Sequence, residues 1–197
     1  MDWGKDTLAY YNQTAEEFAS GTRALDMSDT RSRFASHLPS GALILDFGCG
    51  AGRDTKALLE AGFRVEATDG SEELCALASE HTGIVVRKML FSELDAVDRY
   101  DGIWACASIL HLPKAELADV IGKIEMALKT GGVLYTSFKY GEEEGMRHGR
   151  YFTDFTEESL KTFWSFPGLP IIDMWISQDI REDRREKQWI NLLARKV

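Results

Sequence analysis

Three glycines at alternate positions form the most distinctive pattern in this sequence. Gly48, Gly50 and Gly52 follow a short apolar run, residues 43–47, which contains Asp46. The residues after the glycines have the composition of a helix start. A glycine-rich turn between a strand and a helix lets the backbone approach a ligand closely and presents unpaired N–H groups to it. We therefore interpret this turn as a binding site for a small polar cofactor, rather than as a tight turn without a ligand.

A second acid, Asp69, ends the next strand-like run and lies 21 residues after Gly48. In dinucleotide-binding folds, an acid about 20 residues beyond the glycines accepts hydrogen bonds from the ribose hydroxyls. The alternative is that Asp69 caps the following helix, but Ser71 is available for that role. The spacing therefore favours a ligand whose ribose meets Asp69.

Two classes of cofactor fit a glycine turn of this kind. Dinucleotide enzymes use Gly-x-Gly-x-x-Gly, with the helix end facing a pyrophosphate, whereas the spacing here is Gly48-x-Gly50-x-Gly52. Acids at Asp46 and Asp54 disfavour a pyrophosphate and suit a ligand that carries a positive amino group and a sulfonium. The pattern favours S-adenosylmethionine, and a nucleotide-dependent (NAD-type) oxidoreductase remains as an alternative.

Composition and charge set bounds on the function. The chain has 197 residues, with 44% hydrophobic residues, 28% charged residues and a net charge of −9, which suits one globular domain without a strong nucleic-acid signal. Cys49, Cys75 and Cys106 lack disulfide or zinc spacing, so no metal is expected. The sequence has no apolar run of about 20 residues and no signal-peptide pattern. We expect a cytoplasmic protein without a membrane partner, and leave its oligomeric state open.

Strand-like and helix-like segments alternate along most of the chain. The strand-like runs are residues 42–47, 64–68, 83–88, 100–107 and 133–139. This alternation predicts an α/β fold, a three-layer sandwich in which helices cover both faces of a parallel sheet. Two later strand-like runs, residues 170–177 and 188–194, predict a hairpin whose strands pair antiparallel.

The two ends of this pattern are less regular. Residues 1–40 are interpreted as a helical cap, with helices over 7–18 and 27–38, on a Rossmann-like core formed by residues 41–197 of the same domain. Tyr10 and Tyr11 either pack the first helix onto the body or form an aromatic wall over the ligand site. The charged residues 141–150 predict a surface loop.

On these residues the sequence closely resembles the class I S-adenosylmethionine-dependent methyltransferases, from about Tyr10 onward. The matching motifs are residues 45–54 (LDFGCGAGRD), 67–71 (ATDGS), 100–105 (YDGIWA), 110–112 (LHL) and 128–132 (LKTGG). The chain is most similar to the small bacterial branch that includes the tellurite-resistance type. The resemblance implies a seven-stranded, mostly parallel sheet of order 3-2-1-4-5-7-6 with strand 7 antiparallel. It also implies that the three glycines lie against the methionine moiety and that Asp69 binds the ribose.

One residue that is common in this family is missing from the chain. Many relatives carry an acid after strand three that binds the adenine amine, whereas this chain has Met89-Leu90. Apolar contact with the adenine ring is expected to survive, with Ser92 or a backbone carbonyl replacing the acid. The residues expected to contact S-adenosylmethionine, or its product S-adenosylhomocysteine, are Asp46, Gly48, Cys49, Gly50, Gly52, Arg53, Asp54, Asp69, Gly70, Ser71, Met89, Leu90, Cys106, Ala107 and His111.

The expected reaction is an in-line displacement at a sulfonium, which depends on alignment and an exposed nucleophile. A general base is needed only when the acceptor arrives protonated. His111, Tyr11 and Arg150 are the candidate catalytic residues. A non-catalytic S-adenosylmethionine-binding protein is the other alternative.

The methyl acceptor is expected to be a small molecule, because no added domain or basic stripe is present. Cations near the predicted active-site edge favour an anionic acceptor, and Arg150 and Arg181 are hypothesised to position it. The acceptor-side candidates are Tyr11, Lys139, Tyr140, Arg147, Arg150, Tyr151, Asp179, Arg181 and Trp189.

Overall fold

The computed structural model describes residues 3–181, 184 and 186–197. The remaining residues, which begin the expected cap and form part of the expected C-terminal hairpin loop, lie outside the described residues. The helices are α1 (Trp3–Gln13), α2 (Ala15–Thr22), α3 (Ser28–Ala35), α4 (Arg53–Glu60), α5 (Glu72–Thr82), α6 (Lys114–Ala127) and α7 (Glu157–Phe163). The strands are β1 (Leu43–Phe47), β2 (Arg64–Asp69), β3 (Val86–Lys88), β4 (Tyr100–Ala105), β5 (Leu128–Lys139), β6 (Glu144–Arg147), β7 (Arg150–Thr153), β8 (Ile171–Gln178) and β9 (Gln188–Arg195).

Seven strands form the central sheet in the order β3-β2-β1-β4-β5-β9-β8. The first five are parallel, and β9 runs antiparallel to both β5 and β8. Since β8 and β9 are the sixth and seventh strands of this sheet in chain order, the expected order 3-2-1-4-5-7-6 is confirmed. The strand order reverses at β1 and β4, and ligands of open α/β sheets bind beyond the carboxyl ends of strands at such a point.

Buried side chains fill both faces of the sheet because successive strand residues point to opposite sides. On one face, Ile121 and Ile124 of α6 pack against the sheet. On the other face, Phe34 of α3 and Leu58 of α4 pack with Trp104 of β4. Each such buried side chain contributes about 1.5–3 kcal/mol to the hydrophobic driving force. These contacts make the helices the two outer layers of the expected sandwich.

The N-terminal segment differs from its prediction. The single helix expected over residues 7–18 is divided at Thr14, which has φ −110° and ψ 16°. The Thr14 hydroxyl donates to the carbonyl of Tyr10, so this β-branched residue ends α1 with a local hydrogen bond. The chain then turns, and Ala15 and Ala19 of α2 pack against Leu74 of α5. The second expected helix is present in shortened form as α3.

The charged segment after β5 is also different, because the prediction of a surface loop over residues 141–150 is wrong. Strands β6 and β7 form a separate two-stranded sheet in which Arg147 pairs with Arg150. His148 and Gly149 between them have φ of 50° and 78°. Positive φ at both central residues is the signature of a type I′ hairpin turn. The hairpin directs Arg150 back toward the carboxyl ends of the central strands.

Among the described residues, none of the helices has the length and apolar character that crossing a membrane requires.

Candidate active site

A cavity of about 930 Å³ lies beyond the carboxyl ends of β1, β2, β4 and β5 and the amino end of the antiparallel strand β9. This volume lies in the usual range of about 300–1,000 Å³ for small-molecule sites. One end is lined by residues 48–51, part of the turn that we call the glycine loop (residues 48–52). The other end, which we call the basic chamber, is lined by Lys139, Arg150, Phe152 and Trp189. The cavity thus joins the predicted cofactor residues to several predicted acceptor-side residues.

The glycine loop has a backbone that only glycine adopts easily. Gly48, Gly50 and Gly52 have φ of 81°, 57° and 82°. A Cβ atom on Gly48 would lie 2.5 Å from the Cβ atom of Ser108, and one on Gly52 would lie 2.7 Å from Thr82 Cγ2. Gly48 therefore lets the loop pass against the end of β4, and Gly52 lets α4 begin close to α5.

Asp69 ties the glycine loop to the start of α5. Its Oδ2 accepts a hydrogen bond from the Gly50 N–H, and its Oδ1 accepts one from the Ser71 N–H, each at 2.9 Å. Ser71 itself caps α5 by accepting from the Leu74 N–H, so the capping role does not fall to Asp69. Burial raises the pKa of Asp69, although these hydrogen bonds act to lower it. A carboxylate has about four acceptor positions, and Asp69 lines the cavity, so it retains capacity for a ligand.

The two acids that flank the glycine loop have different partners. Asp46 accepts the Thr55 hydroxyl at 2.5 Å, and burial together with the nearby Asp54 carboxylate raises the pKa of Asp46 to about 7. Asp54 receives Arg31 and Arg53 at 2.6 Å each. These guanidinium groups lower the pKa of Asp54 despite its burial. The charge of Asp54 is therefore neutralised within the protein, which the sequence argument about a positively charged ligand did not anticipate.

Apolar side chains cover the side of the cavity next to Asp69. Met89 and Leu90 line it, as does Ser92 in the turn that follows. Leu8 of α1, which the sequence argument missed, packs so closely on Gly70 that a Cβ atom there would lie 2.7 Å from Leu8 Cδ2. This part of the cavity is suited to an apolar ring edge.

The cysteines that line the cavity are neutral thiols. Burial raises the pKa of Cys49 well above its ordinary value and that of Cys106 to about 12. Cys106 Sγ lies 3.9 Å from an Arg53 nitrogen. Ala107 follows with φ of 50°, and its N–H donates to the Ser137 hydroxyl. These residues shape the floor between the glycine loop and the basic chamber.

The three candidate catalytic residues form one hydrogen-bonded group. His111 Nδ1 lies 2.6 Å from the carbonyl oxygen of Tyr151, and its Nε2 lies 2.8 Å from the Tyr11 hydroxyl. Because a carbonyl only accepts, Nδ1 carries the proton, and the Tyr11 hydroxyl donates to Nε2. Arg150 donates to the Tyr11 oxygen at 3.4 Å. Tyr11 therefore lies over the cavity with its proton directed away toward His111.

His111 is a neutral ring and a weak base in this structure. Burial lowers its pKa to about 3, with the Arg150 and Lys139 charges acting in the same direction. Unfolded histidine titrates near pH 6.5, so the unfolded state binds a proton that the folded state does not. The stability contributed by neutral His111 is therefore present above pH 6.5 and is lost as the pH falls toward 3.

This difference in protonation predicts a pH dependence of stability. Relative to a His111→Gln variant, the free energy of unfolding of the wild type should fall by about 2 kcal/mol between about pH 6.5 and about pH 4.5. Urea unfolding of both proteins across that range measures it, with the variant as the control for all other titrating groups. Parallel stability curves would show that the folded ring protonates normally.

The two arginines hypothesised to hold an anion differ in their surroundings. Arg181 donates from Nε and from a terminal nitrogen to Asp179 at 3.1 and 3.0 Å, so its charge is already balanced. Arg150 lies 4.4 Å from the ring centroid of Tyr10 and 5.1 Å from that of Phe152. Lys139 lies 3.7 Å from the same Phe152 centroid. Lys139, rather than Arg181, is the second cation of the basic chamber.

Comparisons with known proteins agree with this geometry. Residues 44–132 match a family model described as a methyltransferase domain. The structure of Burkholderia thailandensis 1,6-didemethyltoxoflavin-N1-methyltransferase with bound 1,6-didemethyltoxoflavin and S-adenosylhomocysteine is similar, with a TM-score of 0.81, 23% identity, and coverage of 100% of this chain and 89% of that chain. The structure of magnesium protoporphyrin IX methyltransferase from Synechocystis PCC 6803 with bound S-adenosylmethionine is also similar, with a TM-score of 0.73, 18% identity, and coverage of 100% of this chain and 98% of that chain. No curated protein sequence matches the chain.

Taken with the glycine loop and the strand order, these matches define the class as the S-adenosylmethionine-dependent methyltransferases of class I. Residues 44–132 of the chain match the methyltransferase-domain model, and the domain and the fold support S-adenosylmethionine as the cofactor. The oxidoreductase alternative is therefore set aside. Membership of the tellurite-resistance branch stays a prediction.

Proposed function

We propose that this methyltransferase acts on a small anionic acceptor held in the basic chamber. The observation that carries the proposal is the convergence of Lys139 and Arg150 on the ring of Phe152. In the part of the chain that the structure describes, neither cation forms an ion pair with a carboxylate. The buried Nε of Arg150 also has no hydrogen-bond partner there. A bound anion would supply the missing charge and the missing acceptor.

Among the described residues, two acids close to this site have other partners. Asp154 accepts two guanidinium hydrogen bonds from Arg147, at 2.6 and 2.5 Å, and Asp179 accepts from Arg181. Burial and the neighbouring Arg147 charge lower the pKa of Lys139 to about 8. Unpaired cations in a partly buried site favour a ligand that brings negative charge.

The residues at the other end of the cavity fit the cofactor. The crowding at Gly48 and the left-handed backbone require glycine, which keeps the loop close to the end of β4 where it lines the cavity. We infer that the glycine loop lies against the methionine moiety, that Asp69 accepts the ribose hydroxyls, and that Met89 and Leu90 pack on the adenine. Asp46, next to the loop, accepts the Thr55 hydroxyl but forms no ion pair among the described residues, and it suits the positive end of the ligand.

When bound, S-adenosylmethionine supplies an electrophilic methyl group on its sulfonium. The protein's own residues then have to orient the acceptor and exclude water. Neutral His111 has its Nε2 occupied by Tyr11 and is too weak a base to take a proton near pH 7. The acceptor therefore has to enter the chamber already deprotonated, which agrees with the two unpaired cations. In this proposal Arg150 and Tyr11 orient the acceptor, and His111 is a positioning residue that fixes Tyr11.

Residues 1–40 are proposed to act as the cap of this site. Three residues of α1 contact the site. Leu8 packs on Gly70, the Tyr11 hydroxyl forms a hydrogen bond with His111, and the Asn12 side chain accepts one from the Ser71 hydroxyl. The relative crystallised with 1,6-didemethyltoxoflavin holds a small acceptor in the same fold. That precedent supports a small molecule as the acceptor here.

The anionic acceptor predicts a specific pattern of kinetics. Removing one cation by Lys139→Met or Arg150→Gln should lower kcat/KM for an anionic acceptor at least about tenfold, since a charged hydrogen bond is worth about 1.5–3 kcal/mol. The dissociation constant of S-adenosylhomocysteine should stay within about twofold, because the contacts of Lys139 and Arg150 are with aromatic residues outside the glycine loop. The measurement is S-adenosylhomocysteine formation over a panel of carboxylates, phenolates and their neutral analogues.

The control for this experiment is Lys88→Met, which removes an exposed cation paired with Glu72. It should leave kcat/KM unchanged. Turnover with neutral analogues but not with anions would overturn the proposal, as would unchanged kinetics in both chamber variants.

A further inference from the structure

Trp189 stands beside Lys139 in the basic chamber. It is the residue directly opposite Lys139 in the β5–β9 pair and opposite Ser177 in the β8–β9 pair. Residues opposite one another in an antiparallel pair direct their side chains to the same face of the sheet. The Trp189 side chain is partly buried and lines the cavity. An aromatic ring and a cation are therefore presented together to the same space.

The orientation of the Trp189 ring is fixed from one edge. Its indole Nε1 donates to Asp179 Oδ2 at 3.1 Å, and Arg181 holds the same carboxylate. Asp179 is 5% exposed, so this contact is shielded from water. Four hydrogen bonds compensate the burial of the Asp179 carboxylate: two from the Arg181 guanidinium, one from the Arg181 backbone N–H and one from the Trp189 indole.

Trp189 packs at the edge of the core, but it differs from other aromatic rings around the cavity in its ring contacts. Tyr135 stacks on Trp104 with centroids 4.1 Å apart, and Phe152 packs on His111 at 4.8 Å. Trp175 has Tyr135 on one side and the Arg33 guanidinium 4.0 Å from its centroid. Within the described ranges, 3–181, 184 and 186–197, Trp189 has no aromatic or cation–π partner.

We propose that the acceptor carries its negative charge on a planar aromatic or heteroaromatic ring, which stacks on Trp189 while the anion meets Lys139. This inference rests on the proposed function and narrows its substrate class. Asp179 is a positioning residue that holds the indole at the angle needed for stacking. An aromatic contact of this kind is worth about 0.5–1.5 kcal/mol, or about two- to tenfold in affinity.

Three probes of similar size separate the ring from the charge. Benzoate has both, cyclohexanecarboxylate has the charge without the aromatic face, and benzyl alcohol has the ring without the charge. Calorimetry of the full-length protein saturated with S-adenosylhomocysteine should show benzoate binding at least about threefold tighter than cyclohexanecarboxylate, with benzyl alcohol weakest. Equal affinities for the two carboxylates would overturn the aromatic inference alone. Absence of binding by both carboxylates would overturn the anionic acceptor as well.

Variants assign the preference to Trp189. Trp189→Leu should remove the preference for benzoate over cyclohexanecarboxylate and leave the cyclohexanecarboxylate affinity within about twofold, whereas Trp189→Phe should keep most of it. Asp179→Asn should reduce the preference in part. Trp189→Phe distinguishes loss of ring stacking from a general loss of the site's structure. Trp175→Leu is the matched control, since that ring already has partners, and it should keep the preference. Retention of the preference in Trp189→Leu, with S-adenosylhomocysteine still bound, would overturn the assignment.

Discussion

Asp69→Ala is expected to weaken the binding of S-adenosylmethionine and S-adenosylhomocysteine at least about 100-fold, or about 2.7 kcal/mol. The variant removes the proposed acceptor of the ribose hydroxyls. It also leaves the Gly50 and Ser71 N–H groups without the carboxylate that holds them at 2.9 Å, and an unsatisfied buried donor costs about 1–3 kcal/mol. Isothermal titration of both ligands against wild type and variant measures the loss.

Two further variants separate charge from shape in this experiment. Asp69→Asn keeps the shape but turns an N–H group toward one of the two backbone donors, so it should lose about tenfold. Asp95→Ala removes an exposed acid after β3 and should bind like the wild type. Tight binding by Asp69→Ala would mean that the ribose is held by other residues, and that Asp69 only shapes the loop.

Gly48→Ala is expected to lower the free energy of unfolding by about 3 kcal/mol, which combines a left-handed alanine with a steric clash. The new Cβ atom would lie 2.5 Å from the Cβ atom of Ser108, and that atom is fixed to the backbone of a buried residue. For a chain of this size the melting temperature should fall by about 6–12 °C. The displaced loop should also bind S-adenosylhomocysteine at least about tenfold more weakly.

Gly62→Ala provides a closely matched control. Gly62 has φ of 87°, and a Cβ atom there would meet nothing within 4 Å. This variant therefore carries the conformational cost alone, about 1 kcal/mol or about 2–4 °C, with cofactor binding unchanged. Equal effects of the two substitutions would show that the loop can move away from Ser108 at little cost, which would contradict the expected steric clash.

The cofactor end of the cavity was predictable because its residues are near one another in the sequence. Gly48, Gly50 and Gly52 lie in one turn, and the distance to Asp69 is set by a single helix and strand. The partners of Asp54 were not predictable in the same way. Arg31 reaches it from a helix that precedes the first strand, and sequence spacing carries no information about that contact.

The basic chamber was only partly predictable, because register across distant strands creates it. Lys139 and Trp189 were both candidates, yet their adjacency follows from the β5–β9 pairing. Strand alternation predicted a parallel sheet, whereas the order of its strands came from the family resemblance. The β6–β7 hairpin was missed because its charged residues suggested a loop, although His148-Gly149 is a turn signal that was present in the sequence.

The separate two-stranded sheet of β6 and β7 has a consequence for the evolution of this enzyme. The hairpin forms no ladder with the seven-stranded sheet, yet it supplies Arg150 and Phe152 to the chamber and the Tyr151 carbonyl to His111. Its length and sequence can therefore change without breaking a central strand or the glycine loop. If the proposed acceptor site is correct, grafting residues 141–153 between related enzymes should change acceptor preference and leave the cofactor site unchanged.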